Sequence, residues 1–159
     1  MSPARTPART PAPACAAGPT RAAARRSSTS HNPIRTGDDA MDVISLALHQ
    51  PLRPETVVLL LDDAGYGGTI TVVSGTHRAD DVLNVVECLA EVACASLTIA
   101  ALVVATVRTN GGATSADIDR WLEASSLADS YGVQLTEWFV ISPAAVECPR
   151  ELLGEAERW

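Results

Sequence analysis

Residues 106–121, TVRTNGGATSADIDRW, gather two arginines, one asparagine, several hydroxyls and two aspartates where the pattern predicts a strand leaving into a helix. Such a junction can hold an anion, because a glycine turn and the free N–H groups of a helix start point at the ligand and a guanidinium adds charge. The candidate anion-binding residues are Arg108, Asn110, Gly111, Gly112 and Thr114. Asp117 and Asp119 place negative charge in the same turn and oppose that use. Thr114-Ser115-Ala116-Asp117 also has capping-box spacing, with Thr114 as the N-cap and Asp117 reaching back to it, a role that needs no ligand. The stretch holds no histidine, cysteine or lysine, so no nucleophile and base pair is found in it and no catalytic residue is assigned.

Other reactive side chains are scattered. His31 lies in the N-terminal segment, His49 precedes the first strand, and His77 follows a turn where an exposed loop histidine is expected. Cys15, Cys88, Cys94 and Cys148 lack the close pairings of zinc ribbons or redox motifs, which suits a reducing cytoplasm. Asp62-Asp63 and Asp80-Asp81 are adjacent carboxylates, and neighbours on a strand point to opposite faces, so turn and helix-start roles explain them better than a shared Mg²⁺. Trp121 and Trp138 are expected in the core and Trp159 at an exposed end. No metal and no cofactor is expected.

Charge narrows the partners. The first forty residues carry six arginines against two aspartates, and the remainder carries six against seventeen acidic residues. An acidic body repels phosphate backbones, so nucleic acid is not expected as a partner. Nor is a membrane, since no transmembrane run is evident. Residues 1–40 are rich in Pro, Ala, Ser, Thr and Arg and nearly empty of large apolar side chains, the composition of a disordered tail; the single domain is expected over 41–159. Arg25-Arg26 precedes no apolar stretch, and Met41, which opens the first core-like stretch, is a candidate start. The absence of lysine and the abundance of alanine and arginine hint at a GC-rich bacterial source.

The elements that must position the opening stretch follow from periodicity. TVVLLLDD (56–63) is a buried strand ending in a turn, and TITVVSGT (69–76) alternates as its antiparallel hairpin partner. From Arg78, apolar residues at Val82, Val85, Val86, Leu89 and Val92 mark one face of a helix. TIAALVVATV (98–107) reads as a mid-sheet strand. A helix over about 115–131 has Ile118, Trp121 and Leu122 on one face, Gly132 stops it, and VQLTEWFVIS (133–142) is the last strand. The order β-β-α-β-α-β predicts an α/β fold, a mixed β-sheet with flanking helices. Pro149 is placed to start a short C-terminal helical turn anchored by Leu152 and Leu153.

Residues 57–142 resemble the JAB/MPN domain in its bacterial RadC-like form, through LLLDD, SGT, the helix from Arg78, ALVVAT, TSADI and YGVQLTEWFVI in that order. The resemblance implies a zinc site built from H-x-H, then S-x-x-D, with an upstream Glu as general base. Asp117 falls at the ligand aspartate and Thr114 at the serine, but the two histidine positions fall on Val104 and Thr106 and the Glu near Ile70. Neither Val nor Ile holds a metal or moves a proton. The resemblance therefore implies a degenerate, metal-free pseudoenzyme: a non-catalytic protein-interaction module whose partner is another protein or a second copy, cytoplasmic like its bacterial source. Two alternatives remain open, a metallopeptidase-like hydrolase completed by ligands from elsewhere and an anion-binding domain using the loop 108–114. An interaction surface is expected on the last strand, where Trp138 and Phe139 alternate so that one can be uncovered, or at Leu152-Leu153.

Overall fold

The computed structural model describes residues 32–159. His31, Cys15, Arg25-Arg26 and most of the expected N-terminal tail lie outside the described residues.

The elements run α1 (Gly37–Ser45), β1 (Glu55–Leu61), β2 (Gly67–Ser74), α2 (Asp81–Cys94), β3 (Ala101–Val107), α3 (Ala116–Ser130), β4 (Gln134–Ile141), β5 (Val146–Glu147) and α4 (Pro149–Leu153). The strands form one sheet in the order β2-β1-β3-β4-β5. β1 is antiparallel to both β2 and β3, β3 and β4 are parallel, and β5 returns antiparallel on β4. The protein is thus α/β, with a mixed sheet and β3 at its centre, as its unbroken apolar run demands.

Strand alternation sorts the core into two layers. Val58, Leu60, Leu102, Val104, Trp138 and Val140 pack with α2 and α3 on one face of the sheet. Val57, Leu59, Val103, Ala105, Phe139 and Ile141 pack with Ile34, Ala40 and Ile44 on the other, where α1 lies. A register shift at Thr136 lets Leu135 and Trp138, three apart, face the same layer.

Several expectations are corrected. The boundary at residue 40 falls inside α1: Thr36 Oγ1 caps it by accepting from Asp39 N at 3.1 Å, and Ile34 and Ala40 are buried. Val92 and Leu122, expected on buried helix faces, are exposed; the buried faces are Val82, Val85 and Val86 with Ala90 and Ala93 on α2, and Trp121 with Ala124, Ser125 and Ala128 on α3. Trp138 and Phe139 do lie on opposite faces, but both are buried, because helices cover the sheet on both sides. β4 is not the last strand, since β5 pairs back on it before α4, which starts at Pro149 as expected. Trp159 packs on the α1 layer instead of standing free. The chain reaches it through a clamp in which Arg158 stacks on Trp121, 4.6 Å from the ring centroid, and bonds Glu155 at 2.6 and 2.9 Å.

Candidate functional site

β3 delivers Arg108 to the end of the sheet, where its N–H bonds Ile141 O at 2.8 Å, and Gly111 turns the chain with φ +88°. The loop then meets α3. Arg108 grips Asp117 with two parallel bonds, Nη1 to Oδ2 at 2.8 Å and Nη2 to Oδ1 at 2.7 Å, while Nη1 also donates to Gly112 O at 3.2 Å. Thr114 donates both its backbone N–H (2.8 Å) and its hydroxyl (3.0 Å) to Asp117 Oδ2. Arg120, one turn along α3, adds Nη1 to Oδ1 at 3.2 Å and reaches Asp80 at the start of α2 through Nε at 2.7 Å.

Asp117 is completely buried. Burial pushes its pKa up, but the Arg108 hydrogen bonds and charge and the two Thr114 bonds outweigh it and hold the group down at about 2. Arg120 is held above its ordinary value, first by its bond to Asp80. The expected capping box forms by half. Asp117 does reach back to Thr114 N, but Ser115 is the N-cap, and the Thr114 hydroxyl donates to the carboxylate instead of accepting from the helix.

Of the five candidate anion-binding residues, the structure brings Arg108, Gly112 and Thr114 together around Asp117; Asn110 and Gly111 stand exposed at the loop tip. Gly112 contributes a carbonyl that accepts from Arg108, and the anion that Arg108 and Thr114 hold is the chain's own carboxylate. A second one, Glu147 of β5, accepts from Ala113 N at 2.9 Å and lies so close that a Cβ on Gly112 would meet it at 1.8 Å. The open space beside the loop is a cleft of about 390 Å³ between the ends of β2 and β3, lined by Thr76, His77, Arg78, Thr106, Arg108 and Asn110 among others.

The positions that the resemblance assigns to a metal do not converge. Val104 is buried in the α2–α3 layer, and Thr106 accepts from Trp138 Nε1 at 3.0 Å. Ile70 packs on the opposite layer, across the sheet from both. Among the described residues, no three His, Cys, Asp or Glu side chains gather where they could hold a metal ion. His77 is exposed, and Cys88 and Cys94 are exposed free thiols. The Cys148 thiol is pushed up to about 12 by burial, with the neighbouring carboxylates adding to it, so it stays protonated and is a poor nucleophile.

Two buried carboxylates were not legible as sites. Glu55, fully buried at the start of β1, accepts from His49 N at 2.9 Å, pairs with His49 Nδ1 at 2.6 Å and lies 3.5 Å from Arg53 Nε; the Arg53 guanidinium also meets the far ring nitrogen of His49. It ties the loop after α1 to the sheet. Glu137 in β4 takes Arg150 Nε at 2.7 Å, and Arg150 Nη1 bonds Glu155 O at 2.6 Å, which fixes α4 and the C-terminal segment. Burial raises the Glu137 pKa against the opposing pull of Arg150. In the sequence, a lone Glu beside an apolar run is the only sign of either.

Leu152 and Leu153, the other interaction surface expected from the sequence, are exposed on α4. A further exposed feature is the outer edge of β2. Among the described residues β2 pairs only with β1, and its outer main-chain groups meet no other strand. Compared with protein-family models and with curated proteins, the chain finds no match.

Proposed function

We propose that this chain is a non-catalytic protein-interaction domain, a degenerate JAB/MPN-like module, and that it binds by adding a strand from its partner to the outer edge of β2. The observation that carries this is the character of that edge. From Thr69 to Ser74 it reads TITVVS, without charge or proline, and Ile70, Thr71, Val72 and Val73 are half-buried, offering apolar surface on both faces of the sheet. Edges of this kind are ordinarily blunted by Lys, Pro or a covering segment because they template pairing. Strand addition uses such an edge productively: main-chain hydrogen bonds supply affinity and alternate side chains supply selectivity.

The hydrolase alternative has less support, since the only retained ligand position, Asp117, already has every acceptor site taken by arginine and threonine donors. The same bonds weigh against an anion at the loop 108–114.

The test is selection from a displayed library of short extended peptides, with Val72→Pro as the counter-selected form. Peptides enriched on the native chain and lost on the variant support the reading; equal enrichment on both contradicts it. Zinc titration of the purified chain is the second arm. Stoichiometric, chelator-sensitive zinc that disappears in Asp117→Ala would replace the proposal with the hydrolase.

A further inference from the structure

The loop between α1 and β1 is fastened to the sheet through one imidazole held between two partners of opposite charge. His49 Nδ1 lies 2.6 Å from Glu55 Oε2, and Glu55 Oε1 accepts from His49 N at 2.9 Å. The other ring nitrogen, Nε2, meets Arg53 Nη2, while Arg53 Nε stands 3.5 Å from the same carboxylate. Arginine has only donors to offer, so Nε2 must present a lone pair to it, and the single proton of the ring sits on Nδ1, where the carboxylate accepts it. Both ring nitrogens are engaged, which leaves neither for a substrate or a metal ion.

Exposure decides which partner can move. The Glu55 side chain is wholly buried, whereas those of His49 and Arg53 keep 45% and 51% of their surface. No other charged group is bonded to these three among the described residues. On α1, Asp39 turns back to Arg35 N and Asp42 is exposed; β2 carries no charge, and after it His77 is exposed and Arg78 pairs with Asp81; beyond β3, Arg108 is committed to Asp117.

We propose that His49 is a proton-operated switch: on taking a second proton, at Nε2, the ring expels Arg53 and becomes the counter-ion of Glu55 in its place. The proton comes from solvent, and no bond to Glu55 from the ring is lost, because Nδ1–H keeps its acceptor. At the other nitrogen a new N–H faces the guanidinium, donor against donor and cation against cation. Arg53 then retains only its 3.5 Å approach to Glu55, too long to hold it, and its half-exposed side chain turns to water. The cluster passes from balanced, Arg53 against Glu55, to one positive charge in excess.

The exchange takes place at the head of the β1–β2 ladder. Pro54, next to Arg53, accepts from Gly75 N at 3.0 Å, and the register continues Glu55↔Ser74, Thr56↔Val73, Val57↔Val72. In an antiparallel ladder the inward N–H and C=O belong to every second residue, so Val73 and Thr71 face β1 with Gly75, and the main-chain groups of Ile70, Val72 and Ser74 face outward. Acidification thus frees Arg53 and adds charge at the Ser74 end of that outward row.

The test is nuclear magnetic resonance on the full chain from about pH 8 to about pH 5, the range in which imidazoles take up a proton, reading the His49 ring nitrogens together with the order of Arg53 Nε–H. At the upper end the ring is expected to carry its proton on Nδ1 alone and Arg53 to be ordered. As Nε2 becomes protonated, the Arg53 order parameter is expected to fall in step with it, to below about 0.6. In His49→Gln, which cannot take up the proton, Arg53 is expected to show no such step. A neutral ring protonated on Nε2 overturns the proposal, as does an Arg53 that stays ordered once both nitrogens carry protons. Loosening of Arg53 over the same pH range in His49→Gln overturns it too, by placing the titrating group elsewhere. The first two results need only the native chain and decide the matter even where the variant fails to fold.

Discussion

Replacing Asp117 with asparagine removes one charge and almost no volume, so it isolates what the buried carboxylate contributes. Every group facing Asp117 is a donor: two nitrogens of Arg108, one of Arg120, and the N–H and hydroxyl of Thr114. A carboxylate accepts them all, but an asparagine has one acceptor oxygen, and its NH₂ must face a donor. The pKa gives one measure of the cost. A carboxyl held at about 2 against an ordinary 3.8 makes the charged form worth about 2 to 3 kcal/mol to folding. Stripping one member from a buried ion pair gives another, about 3 to 5 kcal/mol, lowered here because Arg108 keeps 17% of its side-chain surface and can recover some water. Asp117→Asn is therefore expected to lose about 2 to 4 kcal/mol at pH 7, read by urea denaturation with an unchanged m-value. A cap alone would lose far less, since asparagine caps helices as well as aspartate.

The sign with pH is also determined. The folded pKa is depressed, so this stabilisation is fully present above the unfolded value near 3.8 and drains away as pH falls towards 2. The gap between native and variant should narrow over that window and nearly close below it. A loss under about 1 kcal/mol at pH 7, or a gap that does not change between pH 7 and pH 2.5, would refute the reasoning.

Other perturbations test the rest of the frame. Glu137→Gln, which leaves Arg150 buried without its charge partner, is expected to cost about 3 to 5 kcal/mol, while Glu137→Leu with Arg150→Met recovers most of that; a denaturation double-mutant cycle measures both. Gly112→Ala pushes Glu147 away from Ala113 N and is expected to cost about 1 kcal/mol, a loss that shrinks when Glu147 is already alanine. Removing residues 1–40 takes away buried Ile34, at about 1.5 to 3 kcal/mol, together with Ala40 and the first turn of α1, so the thermal midpoint should fall by several degrees or more.

The six central elements were readable because each advertises one period. β1 and β3 are apolar without a break, β2 alternates, and the 3.6-residue spacing of Val82, Val85 and Val86 orients α2. α1 was missed for lack of such a signal: its anchors Ala40 and Ile44, with Ile34 before the cap, are few and embedded in Thr, Gly and Asp. Val92 and Leu122 misled because pattern counts large residues, and several of the buried positions on α2 and α3 are alanines.

Buried charge was the least legible layer. Asp117 pairs with Arg108 nine residues earlier, and Glu137 with Arg150 thirteen later; separations of that kind obey no local period. The outward row of β2 was equally hidden, since a sequence shows alternation but not which strand ends a sheet.

Residue-resolved amide exchange along β2 with and without a captured peptide tests the central claim most directly. Thr71 and Val73, bonded into the β1 ladder, are expected to exchange slowly throughout. Ile70, Val72 and Ser74 are expected to exchange fast in the peptide-free chain and to become protected when a captured peptide is added. Slow exchange at Val72 in the dilute, peptide-free chain would mean that the edge is already closed, and would contradict the account.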